Sequence, residues 1–577
     1  MKHTSLFSLF GQYAPHSIFL SVLTGLGAGF AYSLVIPLIL LVYTPDPLNL
    51  ETASSGQAVI WDIEIAHIKM ATTFILLCLC VLTMRTCSQV IFMRVSLNIA
   101  KKLRTDIYHR ILNAPIASIE AFGSTRLIAM FSTDIGNISM GARTLPDLMI
   151  NSVTLSGALA FLFFLNIDVF WFVIVSVVIG TITYQLPAHI GNIFLRKSRN
   201  EIDLLYMNIN GLIYGAKELK LDWKKRSDFL HNDLLACEDN VIRADRKAKT
   251  ILIAATNYGE LISFFVIGCV AFIFVNYSAI TTTELISITM ILLYIASPIG
   301  TIMNAFPQLA IAKISLKKIN ESLQLLPEED EGNALHIPSW DTIHFKNVCF
   351  QYKPSGLNSS DNDKKFIVGP LNFSIKKGEV TFIVGGNGSG KSTIGKLLTL
   401  HYQAKAGEIY FGEERIDHQN LGAARQNISA IYSDYHLFNR LLGETKTELC
   451  EIESLIHKLG LSEKVRLSEN RFSTLSLSDG QRKRLALLVS CLDNKQLYLF
   501  DEWAADQDPV FKSHFYHSIL PLLKKDNKAI VVISHDDRYF NFADLLIEME
   551  DGQIIRKSRP KQTEGFVAEF SERANAS

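Results

Sequence analysis

The chain has 577 residues, and because single domains rarely exceed about 300 residues, at least two domains are expected. Hydrophobic residues make up 49% of the chain and charged residues 19%, a composition that excludes a disordered polymer and an ordinary soluble protein. The formal net charge is zero. No bulk attraction to nucleic acid follows from it, and we predict no nucleic-acid partner.

Six apolar runs in the first part of the chain are each long enough to cross a hydrocarbon core, which needs about 20 helical residues. They lie near residues 17–43, 69–95, 146–166, 169–188, 251–276 and 282–305. The first run is too long to be only the apolar part of a signal peptide, and the amino terminus lacks a small-residue cleavage pattern, so we predict that it is retained. These runs predict an all-α membrane domain of six helices.

Lys and Arg in the connections indicate the orientation of this domain. The connection Thr44–Ile68 contains neither residue, which places it outside. The connections after the second and fourth runs are basic, which places them in the cytoplasm. An even number of spans leaves both termini in the cytoplasm, where ATP is available.

The pattern changes at about Trp340, where short β-rich runs begin to alternate with helical ones. This alternation predicts an α/β domain. A turn-rich insert within it, Pro354–Lys365, is predicted to be a surface loop. The predicted divisions are a membrane domain at 1–320, a linker at 321–340, an α/β domain at 341–557 and a polar tail at 558–577.

A glycine-rich segment follows the buried-strand run Val380–Val384 and precedes a helical pattern, which is the context of a P-loop. It reads Gly385, Gly386, Asn387, Gly388, Ser389, Gly390, Lys391, Ser392 and Thr393. Glycines let backbone amides surround phosphate oxygens, and the helix amino terminus adds partial positive charge. We predict that the segment binds ATP, with Lys391 on the β- and γ-phosphates and Ser392 on Mg²⁺. A glycine-rich turn without a ligand is the alternative.

A second apolar strand, Leu497–Phe500, ends in Asp501 and Glu502. Ligands of open α/β sheets bind at the carboxyl ends of strands. Asp501 suits the binding of Mg²⁺, and Glu502 suits the catalytic task of polarising the attacking water.

The segment Leu477-Ser478-Asp479-Gly480-Gln481 resembles the signature motif of ATP-binding cassette proteins. The resemblance implies that Ser478, Gly480 and Gln481 contact ATP held by an opposite cassette. It also implies that Tyr352 stacks on adenine, that Asp508 is the D-loop aspartate and that His535 is a catalytic switch histidine. For Tyr352 considered alone, the alternative is an aromatic residue that only packs in a strand. For His535 considered alone, the alternative is a histidine that caps a helix or packs in the core.

Six spans ahead of such a cassette resemble a half-exporter of the bacterial inner membrane, with the cassette in the cytoplasm. Both nucleotide sites are complete in a homodimer, which is therefore the simpler assembly. The resemblance implies that coupling helices, which dock on the cassettes, lie around Ile116–Met130 and Met207–Lys220. The alternative is that these are amphipathic intracellular helices only.

One position departs from the family pattern. The Q-loop glutamine, five residues before Phe438, is replaced by Ser433, and Asp434 follows it. Serine is too short to reach Mg²⁺ as glutamine does. Either Asp434 or a water substitutes, or the coupling between cargo and metal site is altered.

Three segments are similar to the cyclic-peptide export subfamily, which includes pyoverdine, syringomycin and microcin exporters. They are Asp501–Pro509, Ser534–Phe540 and Gly215–Leu221. This similarity implies ATP-driven export of a peptide or a peptide siderophore. The alternatives are a lipid or multidrug exporter, a siderophore importer with an exporter-like fold, and a regulatory cassette protein that does not transport.

Two charged residues lie deep inside apolar runs, Arg85 in the second and Glu260 in the fifth. Intramembrane charges usually face a bundle interior or a water-filled cavity. We predict that both line the substrate cavity. The alternatives are that they pair with one another, or that their helices continue into the cytoplasm and both residues are hydrated.

Overall fold

The computed structural model describes residues 11, 14–43, 58–60, 63–65, 68–276, 280–332, 334, 336–352, 366–443 and 449–560. The chain divides into two compact units. The first comprises Met1–Asp106 and Ile128–Glu321, and the second Ile107–Leu127 and Ser322–Ser577. Most of the connection Thr44–Ile68, the whole insert Pro354–Lys365 and most of the polar tail lie outside the described residues.

Long helices dominate the chain up to Leu325. They are α1 Pro15–Ser33, α2 Val35–Tyr43, α3 Ile68–Leu112, α4 Ile116–Phe122, α5 Ser124–Ala129, α6 Ile135–Leu165, α7 Ile167–Tyr214, α8 Ala216–Leu221, α9 Trp223–Asp228, α10 Ala236–Phe272 and α11 Thr282–Leu325, with π-helical turns at Met130–Asp134 and Phe229–Leu235 and a short 3₁₀ turn at Phe274–Asn276. A small antiparallel hairpin pairs β1 Ala58–Ile60 with β2 Ile63–Ile65.

Six helical segments among the described residues are long and apolar enough to cross a membrane. They are Pro15–Leu40, Ile68–Leu112, Arg126–Leu165, Ile167–Gly191, Trp223–Asn276 and Thr282–Leu325. Each overlaps one of the predicted runs, and the predicted six-helix membrane domain is confirmed. Several helices exceed the requirement, since the 45 residues of α3 extend about 68 Å against a core of about 30 Å.

Glycines let α1 lie close to its neighbours. A Cβ atom on Gly25 would lie 2.9 Å from Ser88 Oγ in α3, and one on Gly29 would lie 2.6 Å from the Ile150 carbonyl oxygen in α6. The hydroxyl groups of Ser21 and Ser88 each donate to the backbone carbonyl of the other residue, both at 2.8 Å. The three helices thus pack through small residues and interhelical hydrogen bonds, as is common within membranes.

The second unit contains the predicted α/β domain, which is confirmed. Its strands are β3 Thr342–Gln351, β4 Ile367–Lys376, β5 Val380–Gly385, β6 Ala406–Phe411, β7 Glu414–Arg415, β8 Ile428–Ile431, β9 Leu467–Ser468, β10 Arg471–Phe472, β11 Leu497–Asp501, β12 Ala529–Ile533, β13 Leu545–Glu550 and β14 Gln553–Ser558. Its helices are α12 Lys391–Leu398, α13 Leu421–Arg425, α14 Leu449–Lys458, α15 Asp479–Leu492, α16 Pro509–His514 and α17 Leu520–Lys525, with a π-helical turn at Phe515–Ile519 and a 3₁₀ helix at Asp537–Phe542.

These strands form two main sheets. The larger has the order β14-β13-β5-β12-β11-β8, with β14 antiparallel and the other neighbours parallel, and the smaller has the order β4-β3-β6-β7. Strands β5, β11 and β12 are buried along nearly their whole length, as expected for a parallel sheet covered on both faces. Their carboxyl ends share one edge, and that edge carries the predicted ATP-binding residues.

Candidate active site

The P-loop connects β5 to α12. Gly388 and Gly390 have φ angles of +78° and +96°, which side chains disfavour, so the loop needs glycine at both positions. The Lys391 ammonium is buried and donates to the carbonyls of Gly385 at 2.9 Å and Gly386 at 2.7 Å. Burial lowers the pKa of Lys391, and the carboxylates of Glu502 and Asp501 oppose that shift. The lysine therefore lies inside the loop, beside the acidic strand end.

A cleft of about 490 Å³ opens above this loop. It is lined by Tyr352, Phe366, Asn387, Gly388, Ser389, Gly390, Lys391, Ser392, Thr393 and Glu502. The hydroxyl groups of Tyr352 and Thr393 are hydrogen-bonded at 2.8 Å. The structure thus brings the predicted adenine-stacking residue to the phosphate loop. Sequence analysis missed Phe366. The feature that could have revealed it is its position as an aromatic residue at the start of a strand.

Asp501 is the last residue of β11 and is 2% exposed. Burial, together with the charge of Glu502, raises its pKa to about 6, and a hydrogen bond with the Ser392 side chain opposes that shift. The two predicted ligands of Mg²⁺ are therefore in contact. Carboxylate and hydroxyl oxygens are the hard donors that Mg²⁺ takes, so the residues present fit the ion.

Glu502 follows Asp501 with a φ angle of +49°, an unusual conformation for a residue with a side chain. Its Oε1 lies 3.5 Å from His535 Nδ1, and its backbone carbonyl accepts from the Lys483 ammonium at 2.9 Å. His535 is exposed, so it is not a core histidine. Backbone strain of this kind concentrates at functional sites. Sequence analysis missed Lys483, which follows the signature motif and is buried in the structure.

The signature motif begins α15. Ser478 is the N-cap and forms a capping box with Gln481, with each side chain bonded to the backbone N–H of the other residue. Ser478 is exposed, and the helix has 14 residues. The amino terminus of this helix is thus ordered and open to solvent, where an anion is favoured.

The D-loop lies against this helix in the same chain. The Gln507 side chain donates to the Gly480 carbonyl at 3.0 Å and accepts from Arg484 at 3.0 Å. Arg484 also pairs with Asp508 at 2.5 Å. Asp508 caps α16 by accepting from the Phe511 N–H, and this hydrogen bond is the main cause of a lowered pKa for Asp508. The predicted D-loop and signature residues are therefore one connected group.

The Q-loop position lies at the same sheet edge. Strand β8 runs parallel to β11, with Ile431 opposite Phe500, so Ser433 and Asp434 leave the sheet beside Asp501. Both are exposed, and the charge of Asp434 contributes to the raised pKa of Asp501. The preceding Tyr432 hydroxyl is hydrogen-bonded to Thr399 and to His401 Nδ1, the latter at 2.8 Å. This polar cluster behind the Q-loop was not predicted.

Helix α4 lies in the predicted first coupling segment, and in the second unit it contacts the P-loop helix directly. Glu120 accepts from the Lys396 ammonium at 2.7 Å and from the Tyr402 hydroxyl at 2.5 Å. Lys396 belongs to α12, which begins at the P-loop. Burial and then the hydrogen bond from Tyr402 to Glu120 raise the pKa of Tyr402. The second predicted coupling segment reaches α8, and none of the described residues of α8 or α9 is buried.

The two predicted cavity residues belong to the first unit. Arg85 lies in α3, where its guanidinium donates to the Tyr32 hydroxyl at 3.2 Å and lies 3.9 Å from the Asp147 carboxylate. Sequence analysis missed Asp147, which lies one residue inside the predicted third run. Glu260 lies in α10, and its side chain is outside the part of the chain that the structure describes.

Six membrane-crossing helical segments, a P-loop, an acidic strand end and a signature helix together define an ATP-hydrolysing membrane transporter. Residues 17–299 match the family described as the ABC transporter transmembrane region, and residues 368–505 match the family described as ABC transporter. The chain belongs to the ATP-binding cassette transporter family. It is a multi-pass protein of the bacterial inner membrane whose cassette lies in the cytoplasm.

Similar proteins place the chain among the exporters of this family. It is 31% identical over 565 residues to the ATP-binding protein SyrD of Pseudomonas syringae pv. syringae, covering 96% of each chain. It is 24% identical to the ATP-dependent lipid A-core flippase of Haemophilus influenzae, covering 81% of each. The fold matches the structure of a bacterial Atm1-family ABC exporter with ATP bound, with a TM-score of 0.68, 17% identity and 98% of each chain covered.

Proposed function

We propose that this chain exports a peptide, or a peptide siderophore, from the cytoplasm as an ATP-driven homodimer. The observation that carries the cargo class is the similarity of Asp501–Pro509, Ser534–Phe540 and Gly215–Leu221 to the cyclic-peptide export subfamily. The similarity to SyrD supports this cargo class, because the similarity extends over 96% of both chains and so includes the membrane helices as well as the cassette.

In the proposed reaction, Tyr352 stacks on adenine and the P-loop amides bind the phosphates. Lys391 binds the β- and γ-phosphates, while Ser392 and Asp501 hold Mg²⁺, which when bound neutralises charge on the phosphates. Glu502 orients and polarises the attacking water, and His535 positions the γ-phosphate. The contact of Ser392 with Asp501 and the 3.5 Å approach of His535 to Glu502 support these roles.

Asp434 takes the place of the missing Q-loop glutamine in this scheme. Ser433 is too short to reach the metal, whereas Asp434 follows the strand next to β11 and acts electrostatically on Asp501. A carboxylate at this position supplies a further oxygen, either to the metal or to a water bound to it.

A second copy completes the site. The exposed, capped amino terminus of α15 is suited to contact the γ-phosphate held by the partner cassette, through Ser478, Gly480 and Gln481. Exposed apolar side chains just after the second coupling segment, Leu221 at 89% and Trp223 at 68% exposure, are suited to a protein partner. A homodimer supplies both contacts from one gene product.

Coupling to the membrane runs through α4. Because Glu120 contacts Lys396 on the P-loop helix, a change at the P-loop on ATP binding moves the segment that continues into the membrane helices. Closure of the two cassettes then turns the cavity from the cytoplasm to the outside.

The cargo class is tested by ATPase stimulation in nanodiscs. A peptide siderophore, lipid A and a panel of hydrophobic drugs are compared at matched concentrations. The proposal expects stimulation by the peptide siderophore above the other two. Stimulation by lipid A alone would favour a lipid exporter, the second candidate, which the flippase relative supports.

A further inference from the structure

A polar cluster lies within the membrane helices of the first unit. The Gln89 side chain donates to Asp147 Oδ1 at 2.7 Å, and Arg85 lies 3.9 Å from the same carboxylate oxygen. Arg85 also donates to the Tyr32 hydroxyl at 3.2 Å, and the Tyr294 hydroxyl donates to the Tyr32 backbone carbonyl at 2.8 Å. Helices α1, α3, α6 and α11 are joined in this way.

The cluster lies at membrane depth. Arg85 is 17 residues from the first residue of α3, Ile68, which is about 25 Å along the helix. Asp147 is 18 residues before the last residue of α6, Leu165, which is about 27 Å. Both distances are measured from the outer ends of the helices and lie within a hydrocarbon core of about 30 Å. A charge at that depth faces a bundle interior or a water-filled cavity.

The Arg85 guanidinium and the Asp147 carboxylate do not satisfy each other's hydrogen-bonding capacity. The Arg85 and Asp147 side chains remain 42% and 37% exposed, and their 3.9 Å separation is longer than a hydrogen-bonded ion pair. Donor groups on the guanidinium and an oxygen of the carboxylate are thus open to a ligand. Gln89, which lies on α3 with Arg85, holds the Asp147 side chain in place, and Tyr32 on α1 holds the Arg85 side chain.

We propose that the Arg85–Asp147 pair is a cargo-binding site for a peptide that presents a carboxylate and a cationic group close together. A ligand that is only an anion would pair with Arg85 and leave the charge of Asp147 uncompensated in a low-dielectric site. A ligand that is only a cation would pair with Asp147 and leave the charge of Arg85 uncompensated. A ligand with both charges leaves neither unpaired. This inference rests on the proposed peptide export and adds the charge pattern of the cargo.

The test uses dileucine in four forms with the full-length protein in nanodiscs. They are the free zwitterion, the N-acetyl form, the C-terminal amide and the form with both caps. We expect the zwitterion to stimulate ATPase at a concentration about tenfold lower than the other forms, because each capped form forfeits a charged hydrogen bond.

Variants separate binding from a structural role. Arg85→Met is expected to shift the preference to the cationic amide, and Asp147→Leu to the anionic N-acetyl form. The double variant replaces the pair by apolar side chains, so its preference among the four forms is expected to disappear while its thermal unfolding temperature stays close to that of the wild type. A matched control is Lys249→Met with Asp245→Leu, a partly exposed pair on α10, which should keep the wild-type preference.

Three results would overturn the inference. The first is equal stimulation of the wild type by the four forms, which would leave peptide export in place. The second is an unchanged preference for the zwitterion in the double variant, which would show that the pair only joins helices. The third is no stimulation of the wild type by any form, which would show that this site does not bind such peptides; peptide export is then judged separately by transport into vesicles.

Discussion

The cassette and the membrane unit carry their functional charges in different ways. In the cassette, Lys391, Asp501 and Glu502 come from two short segments at one sheet edge, so each is found from its place in a motif. In the membrane unit, Arg85 and Asp147 are 62 residues apart on different helices and belong to no motif. On our proposals, ATP, which all members of the family bind, fixes the first arrangement, whereas the cargo of this transporter selects the second. Motifs therefore reveal the ATP site, and only the structure reveals the membrane pair.

The largest expected effect is at Glu502. Glu502→Gln keeps the shape of the side chain but removes the carboxylate that we propose polarises water, so ATPase activity should fall about 10²–10⁴-fold. Phosphate release from the protein in nanodiscs measures it. Glu408→Gln, in a partly exposed ion pair of the smaller sheet, is the control and should retain the wild-type rate. A wild-type rate in Glu502→Gln would show that another residue is the base.

The packing of the membrane helices gives the next largest effect. A methyl group at Gly29 would meet the Ile150 carbonyl at 2.6 Å, so Gly29→Ala should cost about 1–3 kcal/mol of stability. Gly300→Ala is the matched control, since no atom of the described residues lies within 4 Å of the Cβ atom it would add. Thermal unfolding in detergent measures both. Equal melting temperatures would mean that α1 does not need this close approach.

The ATP site could be predicted because its residues fall in short motifs, each of which is continuous in sequence. Its supporting contacts could not, because they join distant segments. Lys483 reaches the Glu502 carbonyl across 19 positions, and Glu120 reaches Lys396 across 276. The six membrane helices followed from hydropathy alone, but hydropathy does not show which faces meet. Asp147 was therefore missed although it lies in a predicted span.

A smaller effect on ATPase activity is expected at the substituted Q-loop. A variant of Asp434 tests whether this residue performs the function of the missing glutamine. Asp434→Asn should lower ATPase activity about tenfold or more, as the loss of a group that orients a metal ligand usually does. The dependence of the rate on Mg²⁺ concentration should shift upward with it. Asp526→Asn, beyond the end of α17, is the control. If Asp434→Asn matches the control, then a water alone replaces the glutamine.

The smallest effect on stability is expected at the contact between α4 and the cassette. Glu120→Gln removes one partner of a partly exposed ion pair, which contributes about 0–1 kcal/mol to folding. Basal ATPase should therefore stay near the wild-type rate while stimulation by peptide is lost. Glu321→Gln, in an exposed pair on α11, should keep the stimulation. Normal stimulation in Glu120→Gln would place the coupling elsewhere.

Transport itself tests the central claim most directly. Inside-out membrane vesicles that contain the protein are given a radiolabelled peptide siderophore, with ATP or without it. The account predicts ATP-dependent accumulation in the vesicle lumen by the wild type and none by Glu502→Gln. No accumulation by the wild type, or accumulation only in right-side-out vesicles with ATP supplied inside, would contradict peptide export by this chain.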